Sequence, residues 1–99
     1  MKLEILREAE DELIEAVEYY EVMEAGLGVR LRQEAERCLV WICEHPLLAH
    51  PRRNGYRRVN LRAFPYYAAY AIRGEIVWVL AIGHASRKPE YWSQRMKGL

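Results

Sequence analysis

The sequence contains no threonine, a single aspartate (Asp11), a single phenylalanine (Phe64) and only two serines, Ser86 and Ser93. A serine–histidine–aspartate triad has little to draw on, because Asp11 falls in a helical segment far along the chain from any histidine. His45, His50 and His84 are too scattered for a local zinc motif. Beyond residue 50 the only carboxylates are Glu75 and Glu90, too few to cluster around magnesium without help from the helices. No glycine-rich loop ends in Lys-Ser or Lys-Thr, so a phosphate loop is missing. Metal- and nucleotide-dependent chemistry is set aside, and neither a metal nor a cofactor is expected.

Long hydrophobic runs are also lacking. The longest, Ile76 to Ile82, is far short of the roughly 20 apolar residues that a membrane-spanning helix requires. Glu4, Glu8 and Glu10 occupy the stretch where a signal peptide would be apolar, so a cytoplasmic location without a membrane partner is expected. Cys38 and Cys43 are five apart in one predicted helix, on roughly opposite sides, where a disulfide cannot close. They read as reduced thiols.

What is present fits one globular domain spanning residues 1–99: hydrophobic residues make up 52% of the chain and charged residues 29%. The formal net charge of +1 conceals an asymmetry. Residues 1–50 carry 12 acidic and 5 basic side chains, whereas residues 51–99 carry 2 acidic and 10 basic. This division predicts either a basic surface for an anionic partner or internal pairing of the two halves.

Lys2 to Leu6 alternates polar and apolar residues and reads as a short strand. From Glu8 the period lengthens. Leu13, Ala16, Val17 and Tyr20 define one face of a helix reaching to about Ala25, with Glu8, Glu10, Asp11 and Glu12 near its positive end. Gly26-Leu27-Gly28 breaks it. Leu31, Ala35, Cys38, Leu39 and Ile42 form the stripe of a second helix that Pro46 ends, and His45 to Gly55 reads as a loop. Three strands follow: Tyr56 to Arg62, Tyr66 to Ile72, and Glu75 to Gly83, the last two joined by a hairpin turn at Arg73-Gly74. The tail is basic, with one helical turn predicted around Tyr91 to Met96.

The expected fold is therefore α+β, in the order β-α-α-β-β-β, with a helical hairpin packed on a mostly antiparallel sheet. On the last strand Ile76, Trp78, Leu80 and Ile82 should point one way, and Val77, Val79 and Ala81 the other. Both faces are apolar, and a helical hairpin covers only one. The other needs a partner, or else the loop and tail must fold over it.

The basic half interleaves arginines with aromatic rings. Arginine forks bind phosphates and rings stack on bases, so the mixture suits single-stranded RNA or another acidic surface. Metal-free RNA cleavage needs a base near the 2′-hydroxyl, a cation for the phosphorane and an acid for the leaving oxygen. His84, Tyr91 and one of Arg58, Arg62 or Arg87 have suitable side chains. The plainer reading places Tyr66 and Tyr70 in the sheet core and lets Tyr91-Trp92 anchor the tail.

Glu18-Tyr19-Tyr20-Glu21, Gly26-Leu27-Gly28, Pro46, Gly55-Tyr56-Arg57-Arg58 and Phe64-Pro65-Tyr66 with Tyr70 occur in that order. His84-x-x-Arg87-x-Pro89-x-Tyr91-Trp92-x-x-Arg95 completes the set. Together they resemble the RelE/ParE toxin superfamily, in particular its plasmid-stabilisation branch, over nearly the whole chain. The resemblance implies the same fold, a cognate antitoxin, growth inhibition by free toxin, and operator DNA binding only through the antitoxin. RelE-like members are messenger RNA interferases acting at the ribosome; ParE-like members inhibit DNA gyrase. At positions where the RelE branch carries its cleaving residues, this chain has Arg58, Asn60, Tyr67, Ala85 and Tyr91. Arg58 and Tyr91 fit, and the other three depart. His84 and Arg87 complete the catalytic candidates if the protein is a ribonuclease. The departures tilt the expectation to the ParE-like, non-nucleolytic reading, with ribonuclease as the alternative and a non-toxic repressor-complex protein as a third. Arg57, Arg62, Lys88, Trp92 and Arg95 are the remaining candidates for binding a target or nucleic acid.

The helices independently suggest where an antitoxin docks. Ile14 and Tyr19 project away from the stripe of the first helix, and Val40 and Trp41 from that of the second. They are the expected patch for an amphipathic partner helix. An exposed tryptophan is costly and frequent at interface hot spots.

Overall fold

Lys2–Ile5 forms β1, and the period change after it produces α1, Arg7–Met23, in a computed structural model that describes residues 1–99. The chain reverses at once into α2, Leu27–Glu44, which ends just before Pro46. The loop beyond carries a short 3-10 turn at Arg53–Gly55, where Asn54 and Gly55 both take positive φ. β2 (Arg57–Asn60), β3 (Tyr66–Arg73) and β4 (Ile76–His84) follow, and the tail ends in 3-10 structure at Ser93–Gly98. The strand order is β1-β4-β3-β2, parallel between β1 and β4 and antiparallel elsewhere. The architecture is the expected helical hairpin on a mostly antiparallel sheet.

The hairpin closes tightly because of Gly28. A Cβ there would lie 2.3 Å from the Val17 carbonyl oxygen on α1, so only glycine permits this approach. The Glu21 carboxylate accepts hydrogen bonds from the backbone N–H groups of Gly26, Gly28 and Val29 at 2.7, 2.9 and 3.3 Å. It caps α2, whose own N-cap residue is a glycine with no side chain to do so. These bonds to the charged form hold the Glu21 carboxyl below its ordinary value.

Three boundaries differ from the sequence reading. α1 stops at Met23, where the Glu24 N–H still bonds to the Tyr20 carbonyl but the backbone of Glu24 is already extended. β2 is shorter than Tyr56–Arg62, because Tyr56 turns into the core and the chain bends after Leu61. The alternation along β4 also breaks. Ala69 pairs with Ala81 but Tyr70 pairs with Val79, which leaves Leu80 as the extra residue of a β-bulge. Ile82 therefore joins Val77 and Val79 in the helix-side core, and Leu80 and Ala81 both face the other layer.

That other layer is covered by the tail. Trp92 is only 2% exposed, its ring edge-on to Tyr56 at 4.6 Å, and its Nε1–H donates to the Tyr67 hydroxyl at 2.9 Å. Met96 and Leu99 pack against the same cluster. Tyr67 in turn lies across Gly83, where a Cβ would come within 2.7 Å of its ring. The sheet is thus apolar on both faces because it is the middle of three layers.

Candidate functional site

Glu12 lies between Ala9 and Ala16 on the buried face of α1, where a charge must find partners. Its Oε1 accepts the Ile82 backbone N–H at 3.1 Å. The Tyr91 hydroxyl donates to Oε2 at 2.5 Å, and the Arg95 guanidinium reaches both oxygens at 3.0 Å. Arg87 approaches Oε2 at 3.9 Å and lies over the Tyr91 ring at 3.7 Å. Arg95 also donates to the Leu80 carbonyl at 2.9 Å. One carboxylate thereby ties the first helix, the last strand and the tail together.

This clamp floors a groove of about 330 Å³ that holds His84, Arg87 and Tyr91, with Tyr19 and Tyr66 at its sides. Burial, and then the bond to Glu12, push the Tyr91 hydroxyl far above its ordinary value. The His84 ring stands edge-on to Tyr66 at 5.0 Å. Its Nδ1 accepts the Ser86 backbone N–H at 3.0 Å and lies 2.7 Å from Ser86 Oγ. A backbone N–H can only donate, so Nδ1 bears the lone pair and the proton sits on Nε2. Tyr66 also borders a second groove, which contains Arg58 and Arg62. The two grooves make one continuous surface along the ends of β2, β3 and β4.

The other candidates are distributed differently. Arg58 stacks on Tyr67 at 3.8 Å, and its Nε donates to Asn60 Oδ1 at 3.1 Å. Arg57 points away from this surface and fastens the loop through the Leu47 and Ala49 carbonyls, at 3.2 and 2.6 Å. Trp92 is core and Arg95 is held by Glu12, so neither presents a free side chain to a target. Lys88 is exposed in the bend after β4. Among the basic residues of the second half, only Arg87 and Arg95 pair with a carboxylate. Internal neutralisation therefore does not account for the charge asymmetry.

Ile14, Tyr19, Val40 and Trp41 do not form a single patch. Ile14 lines an apolar groove of about 550 Å³ between α1 and α2, with Leu13, Val17 and Leu39. Tyr19, 60% exposed, lies on the opposite flank of α1, beside the groove holding His84. Five residues turn a helix by roughly 140°, which separates the two. Val40 and the 37%-exposed Trp41 sit on the outer side of α2.

Sequence reading missed Glu12 as the centre of this site. The available signal was its position: a carboxylate spaced three from Ala9 and four from Ala16 falls on the buried stripe. Glu34 is similar, three residues after the buried Leu31. Its carboxylate accepts the N–H groups of Arg62 and Ala63 in the bend after β2.

A family profile described as the ParE toxin of a type II toxin–antitoxin system, parDE, matches residues 3–89. The fold resembles that of a chain from the chromosomal ParDE system of P. aeruginosa, with a TM-score of 0.77 and 19% identity over 87% of this chain and 97% of that one. It also resembles the isolated E. coli RelE toxin, with a TM-score of 0.64 and 20% identity over 99% of this chain and 98% of that one. Among curated proteins none matches in sequence.

Proposed function

Because the chain belongs to the ParE toxin family of type II toxin–antitoxin systems, we propose that, free of its antitoxin, it arrests growth by binding DNA gyrase rather than by cutting messenger RNA. The observation that carries this reading is the state of its two candidate proton-transfer groups. The Tyr91 hydroxyl is committed to Glu12 and holds its proton more tightly than a free tyrosine. A general base must release and accept protons near neutral pH, which such a phenol does poorly. His84 Nδ1 is occupied by the Ser86 N–H, and a neutral imidazole carrying its proton on Nε2 is a hydrogen-bond donor rather than a base on that side. Asn60, Tyr67 and Ala85 stand where cleaving relatives carry functional groups, and Tyr67 is buried with its hydroxyl bonded to Trp92.

The free cations of Arg58, Arg62 and Lys88 support an acidic target surface, and the exposed apolar residues of the helices support capture by a cognate antitoxin. One observation favours the alternative of ribosome-dependent cleavage: His84, Arg87 and Tyr91 line the same groove. Induced expression without antitoxin, followed by supercoiling assays and mapping of messenger ends, separates the two. The expected outcome is growth arrest with inhibited supercoiling and no new messenger ends. His84→Ala is expected to leave the arrest intact. New messenger ends that disappear in His84→Ala would transfer the assignment to the ribonuclease, and expression without any arrest would leave only the repressor-complex role.

A further inference from the structure

The sheet has an open edge that neither the helices nor the tail covers. β2 ends the strand order, and its four residues pair only with β3. The Leu61 N–H bonds inward to the Tyr66 carbonyl, which sets the odd-numbered residues of this strand as the inward partners. In an antiparallel ladder the alternate residues turn outward, so Arg58 and Asn60 each direct an N–H and a C=O away from the sheet. Arg62 continues the same parity, and its outward N–H is taken by the Glu34 carboxylate. Between this edge and α2 runs a groove of about 590 Å³.

We propose that this edge accepts an extended, acidic segment of a partner polypeptide as a fifth strand, seated between β2 and α2. The proposal stands on the edge itself and holds whether free toxin acts on gyrase or on RNA. Three features select the occupant. Outward N–H and C=O groups alternate along the edge, and another polypeptide backbone satisfies both kinds, whereas a phosphodiester backbone offers only acceptors. The groove wall on α2 is formed by Cys38 and Trp41, which suits the apolar side chains on one face of a strand. Arg37 and Arg62 line the groove with no carboxylate partner, and Arg58 flanks it. Glu34, the only carboxylate in the lining, already shows an acidic group satisfying N–H donors at this edge. A second copy of the chain would bring Arg58 and Arg62 against their equivalents, so like charges disfavour an edge-to-edge dimer.

The test uses the full chain and a short blocked peptide alternating glutamate and valine. Its controls are the lysine–valine counterpart, the fully N-methylated glutamate–valine peptide and oligo-dT. Amide hydrogen exchange is read residue by residue by NMR. The acidic peptide is expected to slow exchange at Arg58 and Asn60 by about tenfold or more, increasingly so at low salt, and the controls are expected not to. Asn60→Pro removes one outward donor without touching the β3 ladder and is expected to abolish the effect. The N-methylated peptide reads the same requirement should that variant fold poorly. Unchanged exchange at both amides with the acidic peptide overturns the proposal. So does equal protection by oligo-dT or by the N-methylated peptide, or protection that appears with protein concentration alone.

Discussion

At the scale of single residues, the acidic half of the chain acts as a set of fasteners. Glu12 is 15% exposed, and its partner Arg95 is 19% exposed. Removing one member of such a pair strands the other charge and three further hydrogen-bonding groups. Glu12→Ala is expected to lower stability by about 2–4 kcal/mol, read as a lower urea midpoint at unchanged slope. Glu12→Gln should lose less, because its amide oxygen can still accept the Ile82 N–H. The tyrosines give a matching pH signature. Burial, before any other cause, raises Tyr56, Tyr66, Tyr70 and Tyr91 above the ordinary value of 10.0. Their contribution is fully present below 10.0 and is lost as the pH climbs through the raised values, because the unfolded chain releases these protons first. Urea midpoints are therefore expected to hold through neutral pH and fall above pH 10, with a shallower fall in Tyr91→Phe. Cys38 is shifted in the same direction, up to about 11, by burial and the nearby Glu34, so it should resist alkylation in native protein at neutral pH.

At the scale of elements, much of the fold can be read from periodicity. The stripe from Leu31 to Ile42, the stop at Pro46 and the hairpin at Arg73-Gly74 are local signals, and each element stands where they place it. The bulge at Leu80 is not local. A period-2 reading continues through Ile82, and only pairing with β3 reveals the extra residue. The tail's cover over the sheet is equally silent in sequence, because Trp92 meets Tyr67 and Tyr56 only after the strands assemble. The candidate site was legible in part: His84, Arg87 and Tyr91 do share a groove, but the carboxylate beneath them comes from about 70 residues or more earlier in the chain. The α1–α2 junction yields a direct test. Gly28→Ala inserts a methyl group against the Val17 carbonyl and is expected to cost about 2–3 kcal/mol, whereas Gly98→Ala meets nothing within 4 Å and should cost little. Below the ordinary Glu21 value of 4.5, as its lowered carboxyl is protonated, the amides of Gly28 and Val29 should lose exchange protection.

At the scale of the molecule, the two halves divide their charges between structure and exposure. The helices use Glu12, Glu21 and Glu34 to hold backbone N–H groups, and their other carboxylates do not neutralise the strands' arginines. Only the tail is drawn into pairing, through Arg87 and Arg95. A cation's effect on folding is thereby separated from its effect on a target. Reversing Arg58 and Arg62 together places two carboxylates on an open surface, where the cost to folding is small, and a thermal midpoint within a few degrees of the parent is expected. The same pair of changes sets like charges against an acidic target and should strongly weaken growth arrest on induction. Arg95→Glu inverts the pattern: it sets a carboxylate against Glu12 beneath the tail and should unfold the protein before any partner is met. Midpoints from thermal melts, set beside growth after induction, resolve the two classes. Undiminished arrest by the folded Arg58→Glu/Arg62→Glu protein would move the contact surface away from the strand ends, towards the apolar helix flanks.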